Sequence, residues 1–101
     1  MPGLRRRRAQ ITNELGLHLR AANRLVQLAQ QFRSDVRVFW NGRAADGKSI
    51  LDLLTLGAGF GALIELEVTG PDSEEAAAAL SELVENRFRD RSDGRDLTPE
   101  P

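Results

Sequence analysis

The spacing of apolar and polar positions changes several times along the chain, and each change predicts an element. Residues 5–12 alternate imperfectly, with Ala9 and Ile11 available to a core, which predicts a first strand with a heavily charged beginning. Over 18–32, Leu19, Ala22, Leu25, Val26, Leu28, Ala29 and Phe32 recur at three- and four-residue spacing, the stripe of an amphipathic helix. Residues 35–40 are β-branched and aromatic, and Asn41-Gly42 after them can adopt the positive φ of a tight hairpin, so a strand, a turn and a short returning strand over 43–46 are expected. Residues 48–54 read as a short apolar helix started near Gly47 or Lys48. Gly57, Gly59 and Gly61 break the pattern and predict a flexible turn. Over 63–69 apolar and acidic residues alternate, as a strand with one wet face should. Gly70-Pro71 ends it. Asp72 is placed to cap a last helix, with Glu75 three positions on and Ala76, Leu80, Leu83, Val84 and Phe88 as its buried stripe. From 89 to 101 apolar residues are too few to offset the entropy of ordering, so a flexible tail is expected behind a single domain of residues 1–88.

The order β-α-β-β-α-β-α, with polar alternation in the strands, predicts an α+β fold. It would be an open-faced β-sandwich, a four-stranded antiparallel sheet covered on one face by three helices. A length of 101 residues suits one domain, and apolar and charged shares of 41% and 29% suit a soluble globular protein. No apolar run approaches the roughly 18 residues that cross a bilayer, and the start of the chain lacks the apolar middle of a secretory signal. A cytoplasmic protein without membrane insertion is expected. With no cysteine and one histidine, a disulfide, a thiolate nucleophile and a His-rich metal site are excluded, and neither metal nor cofactor is expected. Net charge is −1, and the run Arg5 to Arg8 reads as solvated charge at a strand end, so no nucleic-acid partner is expected. Gly57-Ala-Gly-Phe-Gly61 lacks the lysine and hydroxyl residue of a phosphate loop, and no paired carboxylates suggest hydrolysis.

The candidate chemistry gathers at His18, which stands at or beside the start of the first helix. A helix start presents unpaired backbone N–H groups and the positive end of the macrodipole, both favourable to an anion such as a phosphoryl group. The imidazole supplies a nitrogen nucleophile. Arg20, two residues on, can bond phosphate oxygens in a planar fork, and Gly16 lets the loop bend closely around the ring. On these residues alone, a plain polar cap is the simpler reading.

The wider pattern reverses that preference. Asn13-Glu-Leu-Gly-Leu-His-Leu-Arg-Ala-Ala22 resembles the active-site signature of the HPr family, the histidine-containing phosphocarriers of the bacterial phosphotransferase system, usually Gly-Leu-His-Ala-Arg-Pro-Ala. Asn41-Gly42 and Gly47-Lys-Ser-Ile-Leu51 resemble the family's hairpin and regulatory-serine segment, and Gly70-Pro-Asp-Ser-Glu-Glu-Ala-Ala77 the start of its last helix. The resemblance covers about three quarters of the chain. It implies that His18 is the phosphoryl acceptor, through Nδ1, and that Arg20 stabilises the phosphate. The donor would be enzyme I, charged by phosphoenolpyruvate, and the acceptor a IIA-type protein. The protein would then be a carrier, not a self-sufficient enzyme, and a monomer. Ser49 falls on the serine that a dedicated kinase phosphorylates in some relatives, although a helix cap is the simpler reading of that residue. Leu17, Leu19 and Leu51, with Arg24 for charge steering, are expected on the docking surface, while Ile50 and Leu54 divide evenly between surface and core.

Two departures bear on this. Leu19 replaces the usual alanine after the histidine and enlarges the apolar surface where partners dock. Ala21 replaces the usual proline, which resembles both the nitrogen-related branch and some proteobacterial members of the family, and adds an amide donor where proline would have none. Sugar uptake and regulation both stay open. The alternative function is a regulatory module whose partner binding depends on the phosphorylation of His18.

Overall fold

The computed structural model describes residues 3–89, so all but Arg89 of the expected tail lies outside the described residues. In chain order the elements are β1 (Leu4–Gln10), α1 (Leu19–Ala29), β2 (Asp35–Trp40), β3 (Arg43–Asp46), α2 (Ile50–Leu56), β4 (Leu63–Thr69) and α3 (Ser73–Glu85). The strands form one antiparallel sheet in the order β1-β4-β2-β3. This is the α+β arrangement expected from the order of periodicities.

Register separates the two faces. Ala9 pairs with Ile64, Val36 with Val68, and Val38 with both Leu66 and Ala45, so one face of the sheet is a continuous apolar layer under the helices. Leu25 of α1, Leu53 of α2 and Leu80 of α3 are fully buried against it, each contributing about 1.5–3 kcal/mol by transfer from water. The opposite face carries Arg6, Glu67, Arg37 and Asp46 in one cross-strand row, with signs that alternate from strand to strand. Arg6 Nε donates to Glu67 Oε2 at 3.1 Å, and Arg5 reaches Glu74 in the first turn of α3 at 3.6 Å. All four arginines are exposed on this edge strand, as expected of solvated charge, with Arg5 and Arg6 paired to carboxylates on either side, and such charge opposes edge-to-edge pairing with other chains.

Several boundaries shift for visible reasons. β1 stops at Gln10, two residues early, because Ile11 bonds Ala62 O and Gly61 N instead of continuing the ladder. α1 ends at Ala29, and the amides of Gln31 and Phe32 turn to the carbonyls of Leu28 and Ala29, three residues back. α2 starts at Ile50 because Ser49 Oγ accepts the Asp52 amide at 3.2 Å. Phe88 is buried as expected, but it lies beyond α3 and reaches the core through a turn.

The capping expected of Asp72 is corrected. It occupies the N-cap position of α3 yet makes no side-chain cap bond there. Its carboxylate instead accepts from Arg33 N at 2.9 Å, Ser34 N at 3.0 Å and Ser34 Oγ at 2.6 Å, tying the end of the α1–β2 connection to the start of α3. Gly70 makes this approach possible: at φ +151 its backbone lies so near Ser34 that an added Cβ would fall 2.6 Å from Ser34 Cα. The Ser34 hydroxyl, then the Arg33 amide, hold the Asp72 carboxyl below its ordinary value of 3.8. A carboxylate depressed in the folded state stabilises above its unfolded pKa, and that contribution is lost as pH falls through the folded value. Melting temperatures measured from pH 6 down to pH 2 should therefore show wild type losing its advantage over Asp72→Asn below the ordinary value, with the two curves converging in acid.

Candidate functional site

His18 is the N-cap of α1, with extended backbone at φ −82 and ψ −178, and its carbonyl accepts the Ala22 amide at 2.8 Å. The ring turns back over the helix start, where Nδ1 accepts from the Arg20 amide at 3.3 Å. An accepting nitrogen carries a lone pair and no proton, so the neutral ring holds its proton on Nε2. Nδ1 thus lies beside the amides that have no intrahelical acceptor. Ala21, at the position where proline is usual in the resembled signature, retains its N–H in that first turn.

The three helix starts differ in charge. α2 carries Asp52 in its first turn and α3 carries Glu74 and Glu75, whereas α1 has no acidic residue there. The positive end of α1 is left without a carboxylate, and Arg20 adds charge of the same sign. Among the described residues, the Arg20 guanidinium makes no hydrogen bond or ion pair.

The loop that presents His18 is rigidly seated. Asn13 Nδ2 donates to Gly16 O at 2.8 Å, the Gly16 amide returns to Asn13 O at 3.1 Å, and the Leu17 amide bonds Ala58 O at 2.9 Å. Gly16 has φ +66, and an added Cβ would lie 2.6 Å from Gly59 Cα. The glycine segment 57–61, expected as a flexible turn, is therefore the platform on which the histidine loop rests, with Ala58 itself buried.

The remaining expected positions divide. Leu19 and Leu51 are exposed, at 63% and 76%, and Leu15, which sequence reasoning passed over, is exposed as well. Leu17 is only 5% exposed and belongs to the core cluster; its expected place on the docking surface is corrected, because its backbone bond to Ala58 turns the side chain inward. Leu19, counted in the stripe of the first helix and also expected on the docking surface, is exposed as the second reading requires, because it is the first residue of the helix. Ile50 and Leu54 are half-buried against the core. Arg24 is half-buried, with Nη1 donating to Phe88 O at 3.4 Å. Ser49 is engaged as the cap of α2.

Around His18 the surface is a shallow cleft lined by Arg20, Ala21, Arg24, Arg87 and Phe88. Arg87 comes from the turn that follows α3, and no local sequence signal marked it. A larger recess of about 510 Å³ runs between α1 and α3 and excludes His18. Group transfer between two proteins needs an accessible nucleophile, so the shallow cleft is the relevant one. No cluster of metal-ligating side chains occurs among the described residues, and no helix among them is long and apolar enough to cross a membrane.

A lone histidine whose Nδ1 faces a helix start without acidic residues, on an open-faced sandwich, defines a small α+β domain with a site suited to an anion such as a phosphoryl group. Residues 5–86 match the family model described as the PTS HPr component phosphorylation site. The phosphocarrier protein HPr of Cupriavidus necator is 50% identical over 78 residues, covering 77% of this chain and 88% of that protein. HPr of Neisseria meningitidis serogroup A is 47% identical over 79 residues, covering 78% of this chain and 89% of its own length. Among solved structures, HPr from Thermoanaerobacter tengcongensis superposes with a TM-score of 0.80 at 36% identity, covering 83% of this chain and 94% of that one. Bacillus anthracis HPr gives 0.77 at 33% identity, covering 80% and 96%. The chain belongs to the HPr family, the phosphocarriers of the phosphotransferase system.

Proposed function

We propose that this protein works in the cytoplasm, takes a phosphoryl group from the phosphohistidine of enzyme I onto His18 Nδ1, and delivers it to a histidine of a IIA-type protein. The observation that carries this reading is the Nδ1 lone pair turned onto the Arg20 amide in the first turn of α1, the one helix among the described residues without an acidic residue there. In the transfer, that lone pair forms the new N–P bond while the donor's P–N bond breaks and its electron pair returns to the donor ring. No hydrolysis intervenes and no other reactant is consumed. The first-turn amides and Arg20 hold the three phosphoryl oxygens, so catalysis consists of positioning and charge stabilisation. Exposed Leu15, Leu19 and Leu51 give the partners apolar contact, and Arg20 and Arg24 steer an acidic surface.

The test is intact-mass analysis after incubation with cognate enzyme I and phosphoenolpyruvate. One acid-labile phosphoryl adduct is expected. It should form about 10- to 100-fold more slowly in Arg20→Ala, the size of one lost charge-assisted hydrogen bond. A folded protein that acquires no adduct would overturn the carrier reading.

A further inference from the structure

The end of α3 is built in an unusual way. Arg87 and Phe88 follow one another at φ 61 and φ 60, a left-handed conformation that neither residue type favours and that glycine would take without strain. Such strain persists only where the surroundings hold it, and it tends to collect at functional sites. Here the surroundings do hold it. Phe88 is 3% exposed, its amide bonds Leu83 O at 2.7 Å, and its carbonyl accepts from Arg24 at 3.4 Å. The Arg87 amide bonds Val84 O at 3.1 Å, and the Arg89 amide bonds Asn86 O at 3.1 Å. The buried Phe88 ring pins the turn, and the turn places Arg87 on the cleft that contains His18 and Arg20.

Arg87 is exposed, and among the described residues its guanidinium makes no ion pair or hydrogen bond. An unengaged guanidinium beside a nucleophile that already has one arginine is suited to a dianionic group that needs both. We propose that Arg87 is a second phosphoryl-binding residue, closing on the phosphate of His18 from the α3 side while Arg20 holds it from α1. Arg24, bonded to the Phe88 carbonyl, is a positioning residue for the turn. The inference rests on His18 being the phosphoryl acceptor, and it assigns the left-handed turn a purpose: it carries a cation from one helix to the reaction centre on another.

The test uses phosphoramidate, a small donor that needs no enzyme I, so partner docking cannot confuse the result. The Nδ1 lone pair forms the N–P bond, the P–N bond of phosphoramidate breaks, and ammonia leaves with that electron pair. Initial rates of phosphorylation are compared for wild type, Arg87→Ala, Arg87→Gly, Arg87→Lys and Arg43→Ala, whose arginine lies on β3 outside the cleft and controls for net charge. Arg87→Ala and Arg87→Gly should be slower by about 10-fold or more, Arg87→Lys should recover part of the rate, and Arg43→Ala should stay within about 2-fold of wild type. Arg87→Gly relieves the backbone strain, so its melting temperature should match or exceed wild type while its rate falls, which separates binding from folding. Rates for Arg87→Ala and Arg87→Gly equal to that of Arg43→Ala would overturn the role of Arg87 alone. Wild type that takes no phosphate from the donor would overturn it together with the carrier reading.

Discussion

A His18→Ala protein is expected to take up no acid-labile phosphoryl group from enzyme I and phosphoenolpyruvate, while remaining folded. Both halves follow from the position of the residue. No other histidine exists to accept the group, so the loss of labelling should be complete. The ring is half-exposed and contributes one long cap bond, at 3.3 Å, so its removal should cost no more than about 1 kcal/mol. His18→Asn sharpens the test, because asparagine is among the better caps. It should restore the melting temperature without restoring the adduct. Intact mass and thermal denaturation, run on the same three proteins, read the two quantities separately. A phosphoryl adduct on His18→Asn would show that another residue accepts the group.

Gly16→Ala should cause the larger loss of stability. Its backbone lies at φ +66, where a Cβ costs about 1–2 kcal/mol for an L-residue. The added atom would also fall 2.6 Å from Gly59 Cα and 2.9 Å from Ala58 O, both main-chain atoms without a flexible end to yield, and overpacking of this kind costs about 1–3 kcal/mol. Together these give roughly 2–5 kcal/mol, a large part of the 5–15 kcal/mol typical of a whole domain. The damage should also reach function. Pushing the loop off its platform breaks the Leu17 N to Ala58 O bond and moves the residue next to His18, so phosphorylation should slow even in molecules that stay folded. Chemical denaturation and initial phosphorylation rates at low temperature check the two effects. Gly59→Ala is the control from the other side of the contact: a Cβ there meets nothing within 4 Å, so little change in either measurement is expected.

The order of elements was legible because each depends on near neighbours. The alternation over β4 and the stripe Leu25, Val26 and Ala29 on α1 are periodic patterns that only one local structure satisfies. The histidine motif was legible for the same reason: Gly16, His18 and Arg20 fall within five residues. Other expectations depended on what lies across the fold. Leu17 and Leu19 are both expected on the docking surface, yet only Leu19 is exposed, since the loop's seat on Ala58 sends Leu17 into the core. Asp72 had the sequence signature of a cap, but two amides and a hydroxyl from the α1–β2 connection offer its carboxylate more than the helix start does.

By itself, then, the sequence determined the type and order of the elements, the apolar layer and the candidate nucleophile, because periodicity and short motifs encode interactions a few residues apart. Only the tertiary structure decided that the glycines at 57–61 form a platform, that alternating charges line up across four strands, and that Arg87 stands beside His18. The physical reason is distance along the chain: Arg87 reaches the site through two left-handed residues pinned by a buried ring, and no pattern local to residues 86–89 records where that turn will point.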